Sequence, residues 1–148
     1  LPVLYDLSRI TAVPAHLTAT QAMALAEKLR GTIKTHVGYA TRASEARSPA
    51  RGQDRALIPH LKGLRAPDLA RAIAQGQTPK LSFNGIEARL ALPKHAAPLL
   101  AAIDGRRSLS EIAQATGTDP IAFGSLWAQI ERDLADHGLL LYSGILRT

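Results

Sequence analysis

The sequence predicts an α+β fold: a small strand–helix–strand unit, then a winged-helix-like module made of a β-hairpin, three helices and a closing strand. Three observations carry this. Asn84-Gly85 stands between two alternating runs, Lys80–Phe83 and Ile86–Leu90, and Asn-Gly supplies the positive φ that a tight type I′ hairpin turn needs. Three helical segments follow it, each with its own start or stop signal. Apolar residues make up 46 % of the chain but aromatic ones only 4 %, so the core is built from Leu, Ile, Val and Ala, which suits close helix packing better than a β-sandwich.

Taken in order, Val3-Leu4-Tyr5-Asp6-Leu7 reads as a short strand. Pro14 breaks the chain before Thr18-x-x-Gln21, a capping box in which each side chain satisfies an orphan backbone N–H. Ala22, Met23, Ala26 and Leu29 give the helix an apolar face, and Gly31 ends it. Ile33, Thr35, Val37 and Tyr39 then alternate with Lys34, His36 and Gly38, the pattern of a strand covered on one face. Residues 1–42 therefore form the strand–helix–strand unit. Residues 43–78 form a basic linker and helices. Arg42–Gln53 has no periodicity and is expected to be a mobile surface loop. Asp54–Leu64 is weakly helical and interrupted by Pro59, whereas Ala66-Pro67 opens a better helix carrying Leu69, Ala70 and Ile73, with Gly76 past its end.

Residues 79–148 make the winged-helix-like module. Leu81, Phe83, Ile86, Ala88 and Leu90 form the apolar side of the hairpin. Lys94–Ile103 buries Ala96, Leu99, Leu100 and Ile103 before Asp104-Gly105 ends it. Ser108-x-x-Glu111 is a second capping box opening Leu109–Ala115. Thr118 or Asp119 caps Pro120–Asp136, along which Phe123, Leu126, Trp127, Ile130 and Leu134 recur at helical spacing. Leu139–Tyr142 is the closing strand. The last two helices, joined by a short turn, have the layout of a helix-turn-helix.

Charge tests the nucleic-acid reading of that layout. The net charge is +6, but residues 28–71 carry +7, residues 1–27 carry −1 and residues 72–148 carry 0. The basic character thus lies outside the winged-helix-like half. The helix in the recognition position holds Asp119, Glu131, Asp133 and Asp136 against Arg132, and such a helix would be repelled by phosphates. Arg106 and Arg107, just before the preceding helix, offer little counterion release. Protein contact is the expected use of the scaffold, and a nucleic-acid module using Arg42–Arg71 with Arg106 and Arg107 is the alternative.

Chemistry is sparse. With no cysteine, disulfides, thiolate metal sites and cysteine nucleophiles are excluded. His16, His36, His60, His95 and His137 form no HxH or HxxxH pair, so no metal site is expected. No G-x-S-x-G, phosphate loop or G-x-G-x-x-G occurs. Lys34 and His36, on one strand face, are the candidate polar pair, and with Arg42, Arg106 and Arg107 they make up the candidate partner-contact patch. No apolar run reaches the ~18 residues of a membrane span, and no signal-peptide pattern opens the chain, so a cytoplasmic protein is expected. The chain starts at Leu1 rather than Met, and a longer parent polypeptide is expected.

Leu4-Tyr5-Asp6-Leu7, Val13–Thr18 and Gly31–Tyr39 resemble the region just downstream of the catalytic domain in some bacterial class I S-adenosylmethionine-dependent methyltransferases. Leu99–Leu140, with Ile103-Asp104-Gly105-Arg106-Arg107-Ser108-Leu109-Ser110-Glu111-Ile112, is similar to the winged-helix-like C-terminal tails of such enzymes, and to the small peptide-binding proteins of the PqqD type. The resemblance implies a regulatory or substrate-interaction domain that is inactive alone. Its partners would be the catalytic domain of the parent chain, a protein or peptide, or a second copy. A bound peptide would add as a strand to the Lys80–Leu90 hairpin. The family's glycine-rich cofactor loop and the acidic residue after it are missing here, so S-adenosylmethionine belongs to the catalytic domain and no catalytic residue carries over.

Overall fold

The computed structural model describes residues 2–31, 42, 50–83 and 86–144. The chain divides into two units, Leu1–Ser48 with Ser82–Glu87, and Pro49–Leu81 with Ala88–Thr148. The fold class is α+β, as the sequence predicts.

In the first unit the expected strand at Val3–Leu7 is instead a pair of 3₁₀ turns, Pro2–Tyr5 and Leu7–Arg9. The cause is local. The Asp6 carboxylate accepts from the Ser8 backbone N–H (3.0 Å) and hydroxyl (2.6 Å) and meets Arg9 Nε at 3.2 Å. A short acidic side chain that bonds two residues ahead offers the backbone an alternative to extension. Those Ser8 bonds hold the Asp6 carboxyl below its ordinary range. Helix α1 spans Ala19–Arg30 with the expected capping box: Gln21 N–H donates to Thr18 Oγ1 and Thr18 N–H to Gln21 Oε1. Gly31 closes it at φ 62°, a conformation that costs glycine little. Two of the four residues expected on the apolar face, Ala22 and Ala26, are sheltered. Ala26 is fully buried, but Met23 and Leu29 are exposed, and the sheltered residues are Ala22, Leu25 and Ala26. Leu4 and Leu7 of the 3₁₀ turns are buried here, and Arg30 Nε donates to the Leu4 carbonyl at 3.1 Å. The expected strand through Ile33–Tyr39 lies outside the described residues.

The second unit holds the larger core. The weak helix expected at Asp54–Leu64 is in fact strand β1, Ile58–Leu61. Proline disfavours helix in the residue before it and lacks the N–H a central strand would need, but it is tolerated where a strand has a neighbour on one side. Helix α2 spans Ala66–Ala74 and buries Leu69, Ala70 and Ile73. Strands β2 (Lys80–Phe83) and β3 (Ile86–Arg89) pair as the predicted hairpin; its base belongs to this unit, and Ser82–Glu87 to the first. Leu81 and Leu90 are buried as expected. The Asn84-Gly85 turn itself, and the side chains of Phe83, Ile86 and Ala88, lie outside the described residues.

The expected helix at Lys94–Ile103 is a 3₁₀ turn, Lys94–Ala96, running into helix α3, Ala97–Ala101. Ala96, Leu99, Leu100 and Ile103 are all buried, and α3 packs against α2. Helix α4, Leu109–Ala115, opens on the Ser108–Glu111 capping box. Helix α5, Pro120–Ala135, is capped by Asp119, whose carboxylate accepts from Ile121 N–H (2.9 Å) and Ala122 N–H (3.1 Å). Its apolar stripe of Phe123, Leu126, Trp127, Ile130 and Leu134 is buried as the spacing requires. The Phe123 and Trp127 rings stack with centroids 5.6 Å apart.

Strand β4, Leu140–Ser143, pairs antiparallel with β1, a strand from the section expected to be linker and helices, and not with the hairpin; the register is Ile58↔Ser143, Pro59↔Tyr142, His60↔Leu141 and Leu61↔Leu140. The stretch before β1 also docks on α4. The N–H groups of Leu109 and Ser110 donate to the carbonyls of Leu57 (2.9 Å) and Arg55 (3.0 Å). Two of the orphan donors at the start of α4 are thereby satisfied by a segment some fifty residues earlier.

Candidate functional site

Of the residues singled out from the sequence, Arg42, Arg106 and Arg107 are among the described ones. Lys34 and His36 lie outside them. Arg42 is exposed and belongs to the first unit, whereas Arg106 and Arg107 belong to the second. Arg106 and Arg107 sit in the turn between α3 and α4, where Asp104 Oδ1 accepts from both backbone N–H groups (2.8 and 2.9 Å). The Arg107 Nε lies 3.2 Å from Asp104 Oδ2. The Arg107 N–H, and after it that of Arg106, hold the Asp104 carboxyl below its ordinary value. Arg107 thus ion-pairs within its own turn, and Arg106 makes no ion pair among the described residues.

His16 and His95 are exposed. His137 is buried at the end of α5, and its Nδ1 donates to the Asp133 carbonyl at 2.7 Å, a placement that suits the negative end of the helix dipole. His60 Nε2 is 2.7 Å from Ser143 Oγ, a diagonal pair across the β1–β4 ladder. That distance suits a base and a nucleophile, but Asp104, the carboxylate that shares the 360 Å³ cleft with His60, directs its oxygens to Arg106 and Arg107. A catalytic histidine needs a third group to orient it, and no carboxylate does so here among the described residues. No group of three or more His, Asp or Glu side chains among the described residues could hold a metal ion.

What the fold does assemble lies along α5. On its inner side Trp127 Nε1 donates to the Tyr142 hydroxyl at 2.8 Å. Burial, together with the neighbouring Glu131 carboxylate, raises the ionisation of Tyr142 well above the usual phenol range. Glu131 Oε1 also accepts the Gly52 N–H at 2.9 Å. Gly52 is buried so closely that a Cβ there would meet Trp127 Cδ1, come within 2.5 Å of Trp127 Nε1 and lie 3.1 Å from the Tyr142 hydroxyl. The end of the stretch read as a mobile linker is therefore pinned to the core.

On its outer side the first turn of α5 carries the most exposed large apolar residue described, Ile121, at 85 %. Two clefts flank this turn. One, of about 430 Å³, is lined by Thr116, Thr118, Ala122 and Ser125 with His95 and Leu126. The other, of about 270 Å³, is lined by Arg55, Ser110, Ala113, Gln114, Pro120 and Phe123. The Arg55 guanidinium lies over the Phe123 ring, 4.5 Å from its centroid, a cation–π contact. Neither Ile121 nor Arg55 stands out in the sequence: Ile121 is one apolar residue beside a stripe, and Arg55 is one of ten basic residues in its section.

No family model, no curated protein and no solved structure matches the chain. No helix among the described residues is long and apolar enough to cross a membrane.

Proposed function

We propose that this chain is a non-catalytic, cytoplasmic accessory domain of a S-adenosylmethionine-dependent methyltransferase, and that it works by contacting protein through the α4–α5 turn. The observation that carries the contact mode is the exposure of Ile121 at the tip of α5. In a helix-turn-helix that reads DNA, the N-terminal residues of the second helix meet base edges, and basic side chains around them meet phosphates. Here that tip presents Asp119, Pro120, Ile121, Ala122 and Ser125. An isolated, solvent-facing isoleucine between two clefts suits the centre of a protein interface, where apolar anchors fill pockets and polar groups form the rim.

The methyltransferase part of the proposal rests on the resemblance alone, and the parent sequence upstream of Leu1 tests it. A glycine-rich cofactor loop followed by an acidic residue supports it; an unrelated sequence there removes it. Calorimetry of this chain with S-adenosylmethionine is expected to give no binding heat, and a clear isotherm would overturn the accessory role. The contact mode is tested with a labelled 20-base-pair duplex by fluorescence anisotropy. Weak binding that is lost at physiological salt fits the basic 28–71 section acting nonspecifically. Tight binding with a steep salt slope that Arg106→Ala and Arg107→Ala abolish would favour the nucleic-acid alternative.

A further inference from the structure

We infer that the cleft between α4 and the start of α5 is a receptor for an acidic side chain of a protein partner, with Arg55 as the residue that recognises it. The inference rests on the protein-contact reading above and adds the chemistry of what is contacted. Arg55 Nη1 is buried and has no hydrogen-bond partner among the described residues, and Arg55 makes no ion pair there. Buried guanidinium groups are normally paired or fully hydrogen-bonded, so this one retains unused donor capacity. The guanidinium carbon lies over the Phe123 ring, 4.5 Å from its centroid, and the group lines the cleft. A carboxylate entering the cleft can therefore meet it. The Ser110 hydroxyl and the Gln114 amide line the same cleft, while Ala113, Pro120 and Phe123 give it apolar walls. A planar fork beside an apolar wall suits a carboxylate next to an apolar residue.

The occupant is an acidic side chain rather than a chain terminus. Capture of a terminal carboxylate relies on free backbone N–H groups. Around this cleft those donors are already used: Leu109 and Ser110 N–H bond to Leu57 and Arg55 carbonyls, Glu111 N–H to Ser108, and Ile121 and Ala122 N–H to Asp119. Only side-chain donors remain. Residues 49–71, in the same unit as Arg55, carry Arg51, Arg55, Lys62, Arg65 and Arg71 against Asp54 and Asp68, and this basic excess attracts a partner segment of opposite sign.

The test uses the ¹⁵N-labelled full chain and three capped probes: N-acetyl-Leu-Glu-Leu-amide, its Gln counterpart, and N-acetyl-Leu-Leu with a free C-terminus. The Glu probe is expected to shift the amides of residues 110–114 and 120–123, with a millimolar Kd about tenfold tighter than that of the Gln probe. Arg55→Met, which keeps an unbranched chain over Phe123, is expected to remove that difference while leaving the spectrum dispersed. Equal binding of the Glu and Gln probes, preference for the free C-terminus, or no shifts up to about 20 mM would each overturn the proposal. The comparison of Glu and Gln probes on the unaltered chain needs no variant to fold. An Ile121→Asp variant that loses partner binding while the probes still fail would retain the contact surface and discard only the acidic receptor.

Discussion

Replacing Gly52 by alanine separates two opposed physical effects and so tests how the linker end meets the core. Gly52 is not held at positive φ, so if its surroundings were open, alanine would stabilise the chain by about 0.4–1 kcal/mol through the unfolded state. The surroundings are not open. The added methyl would overlap the Trp127 indole edge and crowd the Tyr142 hydroxyl. Trp127 is 1 % exposed and stacked on Phe123, so it cannot swing aside as a surface side chain would. Overpacking of this kind costs about 1–3 kcal/mol. Displacing the segment also weakens the Gly52 N–H bond to the Glu131 carboxylate, a charge-assisted bond contributing about 1.5–3 kcal/mol. The two losses overlap, and a net destabilisation of about 2–4 kcal/mol is expected. For a chain of this size that lowers Tm by roughly 4–16 °C. Urea unfolding followed by tryptophan fluorescence measures it well, because Trp127 is the only tryptophan. An unchanged or raised midpoint would refute the argument and restore the free-loop reading of Arg42–Gln53.

Further expectations concern neighbouring groups. Tyr142→Phe removes the acceptor of the Trp127 N–H and is expected to cost about 1–3 kcal/mol, read by the same urea assay. Tyr142 ionises late in the folded chain, so its contribution to stability is intact below the unfolded phenol value near 10 and is lost as pH rises beyond it. A spectrophotometric titration at 295 nm should show one of the three tyrosines ionising only with unfolding. The folded pKa of Asp104 is lowered, so its stabilising effect is present above the ordinary carboxylate value of 3.8 and disappears as pH falls through the folded value. The stability gap between the native chain and Asp104→Asn should therefore close in acid; a gap that widens there would contradict the assignment. Ser108→Ala breaks the α4 capping box and should cost about 0.5–2 kcal/mol by thermal unfolding. Ile121→Ser should change stability by no more than about 0.5 kcal/mol, because the side chain is solvent-facing.

The elements written in local pattern were legible before the structure. Ser108 with Glu111 and Thr18 with Gln21 are three residues apart, and their capping boxes form between neighbours. The α5 stripe from Phe123 to Leu134 follows directly from helical periodicity. What escaped the sequence depends on distant partners. Pro59 argued against a regular helix but could not announce that Ile58–Leu61 pairs with Leu140–Ser143, some eighty residues away. Val3–Leu7 has strand composition, yet Asp6 turns it through bonds to Ser8. The candidate site was hidden for the same reason. Gly52 meets Glu131, and Arg55 meets Phe123, across some seventy to eighty residues of chain, where the segment before β1 docks on α4. Helical spacing placed Ala22, Met23, Ala26 and Leu29 on the buried side of α1; Ala22 and Ala26 are sheltered there, but Met23 and Leu29 are exposed and Leu25 is sheltered in their place.

The account stands or falls on the α4–α5 turn being a surface that meets protein. The direct measurement is a ¹⁵N amide titration of this chain with the methyltransferase catalytic domain that the proposal assigns to it as partner, supplied as a separate chain. Shifts concentrated on residues 110–126, and lost in Ile121→Asp, are the predicted result. Shifts confined to other faces, or a response at this turn to duplex DNA in place of that polypeptide, would contradict it.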